Sequence, residues 1–139
     1  NGEAKSLSER RDFEYVKLIA LKYLNAPYLW GGKSPFGIDC SGLTQVVFRI
    51  CGYKLLRDAS QQVTQGREVE NFEGAIPGDL LFFRNADRKV THVGILFENQ
   101  TIIHASGKVR IDLIDENGIF NVEQKRYTHY LSDIRRVIT

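Results

Sequence analysis

The chain contains no methionine, only two cysteines, and no apolar run long enough to span a membrane. No signal peptide is visible, and the missing initiator methionine predicts a start that was processed or excised from a longer chain. The formal net charge of +2 is too small to indicate a nucleic-acid partner. With 42% hydrophobic and 26% charged residues over 139 positions, we expect one soluble globular domain, residues 1–139, whose start at 1–7 is polar and flexible.

The two cysteines flank one predicted helix. Eleven residues at 1.5 Å each place Cys40 and Cys51 roughly 16 Å apart, and a disulfide needs Cα atoms within about 7 Å. We interpret Cys51 as a small buried apolar residue. Cys40 differs because it follows a glycine-rich and aromatic stretch and directly precedes an amphipathic segment. At a helix start, the backbone N–H groups and the macrodipole favour a thiolate, so the pattern predicts a nucleophile at Cys40.

Helical patterns occupy the first half of the chain. The first helix is predicted from a cap at Ser8 to about Leu24, ending at Asn25 in a left-handed conformation. The second has apolar residues at helical spacing (Leu43, Val46, Val47 and Ile50) and covers about 41–51. A third, shorter helix is predicted over 59–65, and 28–39 is predicted as a loop lined by aromatic side chains.

Strand patterns fill the second half, at 80–83, 90–97, 101–105, 109–114 and 134–138. Helices followed by antiparallel strands indicate an α+β fold.

Two histidines lie on neighbouring predicted strands, His92 on the first and His104 on the second. If the loop between the strands has three residues, 98–100, Gly94 opposes His104 and both imidazoles share one face of the hairpin. A loop of two residues would put them on opposite faces. One cysteine and two histidines so arranged are enough for a cysteine hydrolase.

Six short motifs, in this order, resemble those of the NlpC/P60 family of papain-like cysteine peptidases. They are Pro27-Tyr28-Leu29-Trp30-Gly31-Gly32, Asp39-Cys40-Ser41-Gly42-Leu43, Arg57-Asp58-Ala59-Ser60-Gln61-Gln62, Pro77-Gly78-Asp79-Leu80, His92-Val93-Gly94-Ile95 and Ile103-His104-Ala105.

The resemblance implies a papain-like fold in which N-terminal helices that carry the nucleophile pack on a central antiparallel sheet. It implies hydrolysis of the bond between γ-D-glutamate and a diamino acid, diaminopimelate or lysine, in bacterial peptidoglycan stem peptides. By the matching motifs, Cys40 is the nucleophile, His92 the general base and His104 the residue that orients His92. No metal or cofactor is implied. SH3-like domains often precede the catalytic domain in relatives, and no such domain is visible in this sequence.

The same resemblance suggests residues that bind the substrate. Tyr28, with the backbone N–H of Cys40, is expected to stabilise the oxyanion, and Trp30 to form a wall of the cleft or part of the core. Four polar residues are expected to line the pocket for the stem peptide: Asp39, Ser41, Asp58 and Ser60. Asp39 and Ser60 are equally good candidates for helix caps.

Other interpretations remain open. The same Cys and His pair serves an acyltransferase, amidase or lipid hydrolase, which needs a broad apolar cleft. A zinc site made by Cys40, His92 and His104 is a further alternative. His129, in a polar run, is predicted as a surface histidine. The expected partner is peptidoglycan or murein fragments and the expected location the cell envelope, with cytoplasmic recycling as the alternative; the oligomeric state is open.

Overall fold

Helices come first and most strands follow in the computed structural model, which describes residues 10–138. The helices are α1 (Phe13–Leu21), α2 (Cys40–Ile50), α3 (Ala59–Gln62) and a short 3-10 helix (Phe72–Gly74). None of the helices within 10–138 is long and apolar enough to cross a membrane. The predicted α+β class is confirmed.

The strands form two sheets. A small ladder comprises β1 (Lys33–Ser34) and β2 (Gly37–Ile38), inside the segment predicted as a loop. The large sheet, antiparallel in every pairing, has the order β3-β9-β4-β5-β6-β7-β8. Its strands are β3 (Arg67–Glu68), β4 (Leu80–Arg84), β5 (Val90–Phe97), β6 (Thr101–Ser106), β7 (Lys108–Ile114), β8 (Gly118–Asn121) and β9 (Arg126–Arg136).

The large sheet closes on itself through β9. The first half of β9 pairs with β8 and its second half pairs with β4, so strands β4 to β9 form a barrel-like ring. The resemblance implies a central antiparallel sheet; in the structure this sheet closes into a barrel. The sequence predicted only 134–138 as the last strand because the residues before it are polar, and it did not predict β8.

Two apolar clusters hold the layers together. One lies between the helices and the outer face of the barrel, with Leu43, Val47 and Phe48 of α2 against Val93 and Ile95 of β5. The other fills the barrel with residues from β4 to β9: Leu81, Phe83, Leu96, Ile102, Ile114, Ile119 and Ile134. The apolar stripe of α2 differs from the prediction, because Ile50 is exposed and Phe48 is buried in its place.

The helix ends follow local chemistry. Asp12 caps α1 by accepting from the Tyr15 N–H at 3.3 Å, while the predicted cap Ser8 and the start at 1–7 lie outside the described residues. The helix ends at Leu21, earlier than predicted, and Asn25 adopts the predicted left-handed conformation with φ of 72°. The third helix ends at Gln62, also earlier than predicted.

Candidate active site

Cys40 is the first residue of α2, and Asp39 is its N-cap. The Asp39 carboxylate accepts from the backbone N–H of Gly42 at 2.6 Å and of Gly31 at 2.8 Å. A Cβ at Gly42 would lie 2.5 Å from the Gly32 carbonyl oxygen, so only glycine lets the preceding loop approach the first turn this closely. The Asp-Cys-Ser-Gly block thus encodes one rigid junction that fixes where the thiol lies.

Arg57 completes this junction. Its guanidinium donates to both oxygens of Asp39, at 3.2 and 2.8 Å, and to the Ser41 hydroxyl at 2.9 Å. Burial raises the pKa of Asp39, but the hydrogen bonds from Arg57 and the two glycine N–H groups outweigh burial and hold that pKa below its ordinary value. Asp39 is therefore an ionised cap whose charge is paired with Arg57.

The Cys40 thiol lies against the backbone on either side of His92. It donates to the Thr91 carbonyl at 3.7 Å, and the Val93 backbone N–H faces it. Burial raises the pKa of the thiol, and the Asp39 charge raises it further; the nearby N–H groups only partly oppose this. The expectation of a resting thiolate is therefore wrong, because desolvation outweighs the helix N-terminus.

The histidine pair has the register that a three-residue loop gives, which is one of the two alternatives left open by the sequence. The loop between β5 and β6 has three residues, 98–100, so Phe97 pairs with Thr101 and Gly94 with His104. The ring of His92 is joined to that of His104 by a hydrogen bond of 2.8 Å between Nε2 and Nδ1. Burial lowers the pKa of both rings, and it does so most for His92. Both imidazoles are therefore neutral near pH 7.

A carboxylate continues this pair into the barrel. Asp112 of β7 accepts from His104 Nε2 at 2.8 Å, and Arg110 holds the same carboxylate from Nε at 2.7 Å. Burial raises the pKa of Asp112, but the hydrogen bonds from His104, from Arg110 and from the Val122 N–H outweigh burial and lower it to about 2. Asp112 is therefore ionised at neutral pH, and it is the last group in the series of hydrogen bonds that joins the two histidines.

His129 was predicted as a surface histidine, but it is partly buried and packs on the histidine pair. Its ring stacks on His92 with centroids 4.0 Å apart and planes at 20°, and burial lowers its pKa to about 4. His129 lies on β9. The residues around it are polar, and for that reason the sequence did not predict this part of the strand.

Within residues 10–138, the ligand atoms of His92, His104 and His129 lie within 4.8 Å of one another, the one group that could hold a metal ion; Cys40 is not part of it. Stacked rings do not direct their lone pairs at one ion, so binding a metal there requires that a ring turn. The zinc set considered from the sequence, with Cys40 as a ligand, is not the set that lies together.

All six residues predicted to bind substrate line one open cavity of about 500 Å³ in front of the thiol. Trp30 is 85% exposed, so its interpretation as a core residue is wrong. Asp58 is the N-cap of α3 in a capping box with Gln61, and Ser60 lies inside that helix rather than at its cap. Neither His92 nor His104 is among the described residues that line the cavity; β5 contributes Val90 and Thr91 there.

Sequence reasoning missed the partners of the predicted residues. Arg57 was quoted within a motif but given no role. Asp112 had a detectable signal, because strand alternation places Arg110 and Asp112 on one face of β7, and the tight turn at Gly107 sets Arg110 opposite His104. Thr91 is an extra residue in β5, since Phe83 pairs with His92 and Arg84 with Val90; such a bulge has no sequence signal here.

Comparison with known proteins gives a consistent result. A model of the NlpC/P60 family matches residues 25–131. A gamma-D-glutamyl-L-lysine dipeptidyl-peptidase from Bacillus subtilis is 40% identical over 85 residues, which is 60% of this chain and 28% of that protein. The chain spans 37% or less of the first three curated relatives it matches.

Solved structures agree in fold. A crystal structure of an NlpC/P60 family protein from Bacillus cereus superposes with a TM-score of 0.81 at 27% identity, over 94% of this chain and 41% of the other. The peptidoglycan hydrolase RipB from Mycobacterium tuberculosis superposes with a TM-score of 0.73 at 27% identity, over 91% and 65% of the two chains.

Proposed function

The chain belongs to the NlpC/P60 family, and from that premise we propose that it is a cysteine peptidase. Its proposed reaction is hydrolysis of the bond between γ-D-glutamate and a diamino acid in peptidoglycan stem peptides. The observation that carries the proposal is the position of the thiol. Cys40 begins a helix and lies against the segment of β5 that bears His92, and His92 is hydrogen-bonded to His104 on β6. Cys40 acts as nucleophile, His92 as base and His104 as the residue that orients the base.

The proposed reaction begins from a neutral thiol and a neutral imidazole. Because Nε2 of His92 is engaged by His104, the thiol proton goes to Nδ1 of His92. The sulfur attacks the γ-carbonyl carbon of D-glutamate, and the new imidazolium gives its proton to the departing amine of the diamino acid. Water, deprotonated by His92, then cleaves the thioester and the thiol is restored. Proton transfer accompanies attack, since burial disfavours the ion pair in the free protein.

The oxyanion is assigned to two donors beside the thiol. The first is the backbone N–H of Cys40, at the N-terminal end of α2, where N–H groups have no acceptor within the helix. The second is the hydroxyl of Tyr28, a cavity residue whose pKa is raised by burial and by the proximity of Cys40. A protonated phenol near the sulfur is suited to donate to a developing oxyanion.

The cavity lining supports a substrate with a free carboxylate. Among the described lining residues, Arg57 carries the only positive charge, while Asp39, Ser41, Asp58 and Ser60 supply polar atoms. A γ-linkage leaves the α-carboxylate of glutamate free, and a guanidinium keeps donors for it beyond those used on Asp39 and Ser41. The free amine of the stem peptide is assigned to the carboxylates. An acyltransferase or lipid hydrolase gains no support from this lining.

We assign the protein to the cell envelope, because relatives include a named peptidoglycan hydrolase. Recycling of murein fragments in the cytoplasm is the alternative. Turnover of intact cross-linked wall compared with turnover of soluble murein peptides separates the two, since an envelope enzyme is expected to act on the wall and a recycling enzyme only on fragments.

The direct test is mass spectrometry of products from a defined L-Ala-γ-D-Glu-diamino acid peptide, in competition with its α-linked L-Glu isomer. We expect release of the diamino acid from the γ-linked peptide alone, because a site built to hydrogen-bond one group discriminates strongly when it is misplaced. Ser41→Ala should lower efficiency more for the γ-linked peptide than for a generic thiol-protease substrate. Comparable turnover of both isomers would refute the stem-peptide substrate and leave a cysteine hydrolase of another specificity.

A further inference from the structure

A buried carboxylate stands behind the histidine pair, and the Cys-His-His reaction does not use it. Asp112 has a side chain that is 0% exposed and lies 2.8 Å from His104 Nε2. We propose that Asp112 is a positioning residue for this reaction: acting through His104, it fixes the tautomer of His92 that can accept the thiol proton. The inference rests on the proposed roles of Cys40 and His92 and adds a fourth member to them.

The proton positions follow from the order of the contacts. An ionised carboxylate only accepts, so His104 donates from Nε2 to Asp112. Neutral His104 then has its lone pair on Nδ1 and accepts from His92 Nε2–H across 2.8 Å. Neutral His92 is left with its lone pair on Nδ1. In the proton transfer the S–H bond breaks and an Nδ1–H bond forms, while no proton leaves His104 or reaches Asp112.

Asp112 acts by orientation rather than by net charge. Arg110 already balances its charge from Nε at 2.7 Å and from a terminal nitrogen at 3.2 Å. Without Asp112, His104 could equally place its proton on Nδ1 and donate to His92 Nε2. His92 would then carry its proton on Nδ1, the nitrogen that has to accept from the thiol. Asp112 excludes this inactive arrangement.

The carboxylate is held from several sides, so the direction it imposes is fixed. Its Oδ1 also accepts the backbone N–H of Val122 at 3.2 Å. Arg110 is itself held by Glu123 at 2.8 Å and Asn121 at 3.2 Å. Besides these groups, His129 of β9 stacks on the His92 ring with centroids 4.0 Å apart, and the Cys40 thiol of α2 lies against the backbone carbonyl of the neighbouring Thr91.

The opposing interpretation is a purely structural ion pair, and the chain offers a matched control. Asp79 is also buried and is also held by an arginine, with Arg136 Nε at 2.8 Å, but no histidine contacts it among the described residues. Asp112→Asn and Asp79→Asn each remove a buried, arginine-paired charge, the first within β7 and the second directly before β4, and only the first removes the fixed acceptor of His104.

The rate of Cys40 alkylation by iodoacetamide at neutral pH tests the proposal without any substrate. We expect Asp112→Asn to slow alkylation and to lower kcat by on the order of 100-fold with little change in KM, the loss typical of a misplaced catalytic group, whereas Asp79→Asn changes neither beyond its effect on folding. In a His104→Gln background, Asp112→Asn should add no further loss. Equal effects of the two aspartate variants, or an additive loss in the double variant, would overturn the proposal.

Nitrogen-15 NMR of the imidazoles in the unaltered protein tests the same claim independently of any variant. The expected signature is a protonated Nε2 and an unprotonated Nδ1 on both His92 and His104; a protonated Nδ1 on His92 would overturn the proposal. If the γ-linked peptide is not cut while the alkylation and NMR results hold, the proposed substrate fails and the role of Asp112 stands.

Discussion

Two arginine–aspartate pairs flank the site, and their surroundings differ. Arg57 and Asp39 lie at the cavity, where the arginine side chain is 31% exposed and the aspartate side chain 10%. Arg110 and Asp112 lie in the barrel, where the corresponding values are 12% and 0%. Against the effect of burial, Arg57 helps to hold the pKa of Asp39 below its ordinary value, and His104 together with Arg110 holds that of Asp112 at about 2. The exposed pair therefore leaves guanidinium N–H groups unused at the cavity, whereas the buried pair is held by further groups of the protein.

The largest expected effect comes from the thiol between these two regions. Cys40→Ala should abolish hydrolysis while the fold survives, because no other group supplies the nucleophile. Cys51→Ala is the matched control, since this buried cysteine lies at the far end of α2 and should leave activity largely intact. Product release by each variant, with circular dichroism for folding, is the measurement. Hydrolysis by Cys40→Ala would show that Cys40 is not the nucleophile and that the reaction takes place away from both arginine pairs.

The second largest effect concerns the buried histidine pair. His92→Ala should be at least as damaging as His104→Ala, because the base transfers the proton and the second ring only orients it. Losing an orienting residue still costs on the order of 10⁴-fold in kcat in a serine-protease triad. His104→Gln should retain more activity than His104→Ala, since an amide oxygen can accept from His92 Nε2. If glutamine proves no better than alanine, the orienting role fails.

A smaller effect concerns the ion pair of Asp39 and Arg57 at the cavity. Asparagine caps a helix as well as aspartate does, so Asp39→Asn keeps the cap of α2, but its amide nitrogen cannot accept from the Arg57 guanidinium or from the Gly31 N–H. We expect roughly a tenfold lower kcat/KM for the γ-linked peptide, the loss of about one charge-assisted hydrogen bond. Asp12→Asn makes the same change at the cap of α1 and should leave the kinetics unaltered. Equal kinetics for the two variants would contradict the proposal that Arg57 binds the substrate.

The smallest effect concerns stability and pH. Burial lowers the pKa of His129 from 6.5 to about 4, so the unfolded chain takes up a proton first and stability falls as pH drops from 6.5 to 5. This amounts to about 1–2 kcal/mol for His129 at pH 5 after allowing for solvent screening. Asp39 and Asp112 have lowered pKa values, and their contribution is lost only below about pH 4.

Urea unfolding at pH 7 and pH 5 measures that loss. His129→Phe keeps an aromatic ring against His92 and removes one titrating group, so its unfolding free energy should depend less on pH. An unchanged dependence would mean that His129 titrates as an exposed residue.

Local patterns predicted much of the site. The N-cap and glycines around Cys40 are encoded within a few residues, whereas the sequence reduced the register of His92 and His104 to two alternatives and the structure shows the three-residue loop. The pairing of β9 with both β4 and β8 was not predictable in the same way, because it depends on long-range closure by a polar strand. For that reason His129 was misassigned. Asp112 was missed because its role depends on which ring it contacts across β6 and β7.

The central claim is that Cys40 forms a thioester with the γ-D-glutamyl group, and trapping that intermediate tests it most directly. The protein is mixed with the L-Ala-γ-D-Glu-diamino acid peptide, quenched in acid within the first turnover, and analysed by intact and tandem mass spectrometry. The account predicts an L-Ala-D-Glu adduct on Cys40, none on Cys51, and none in Cys40→Ala. Release of the diamino acid without any adduct on Cys40, at times when turnover has begun, would contradict it.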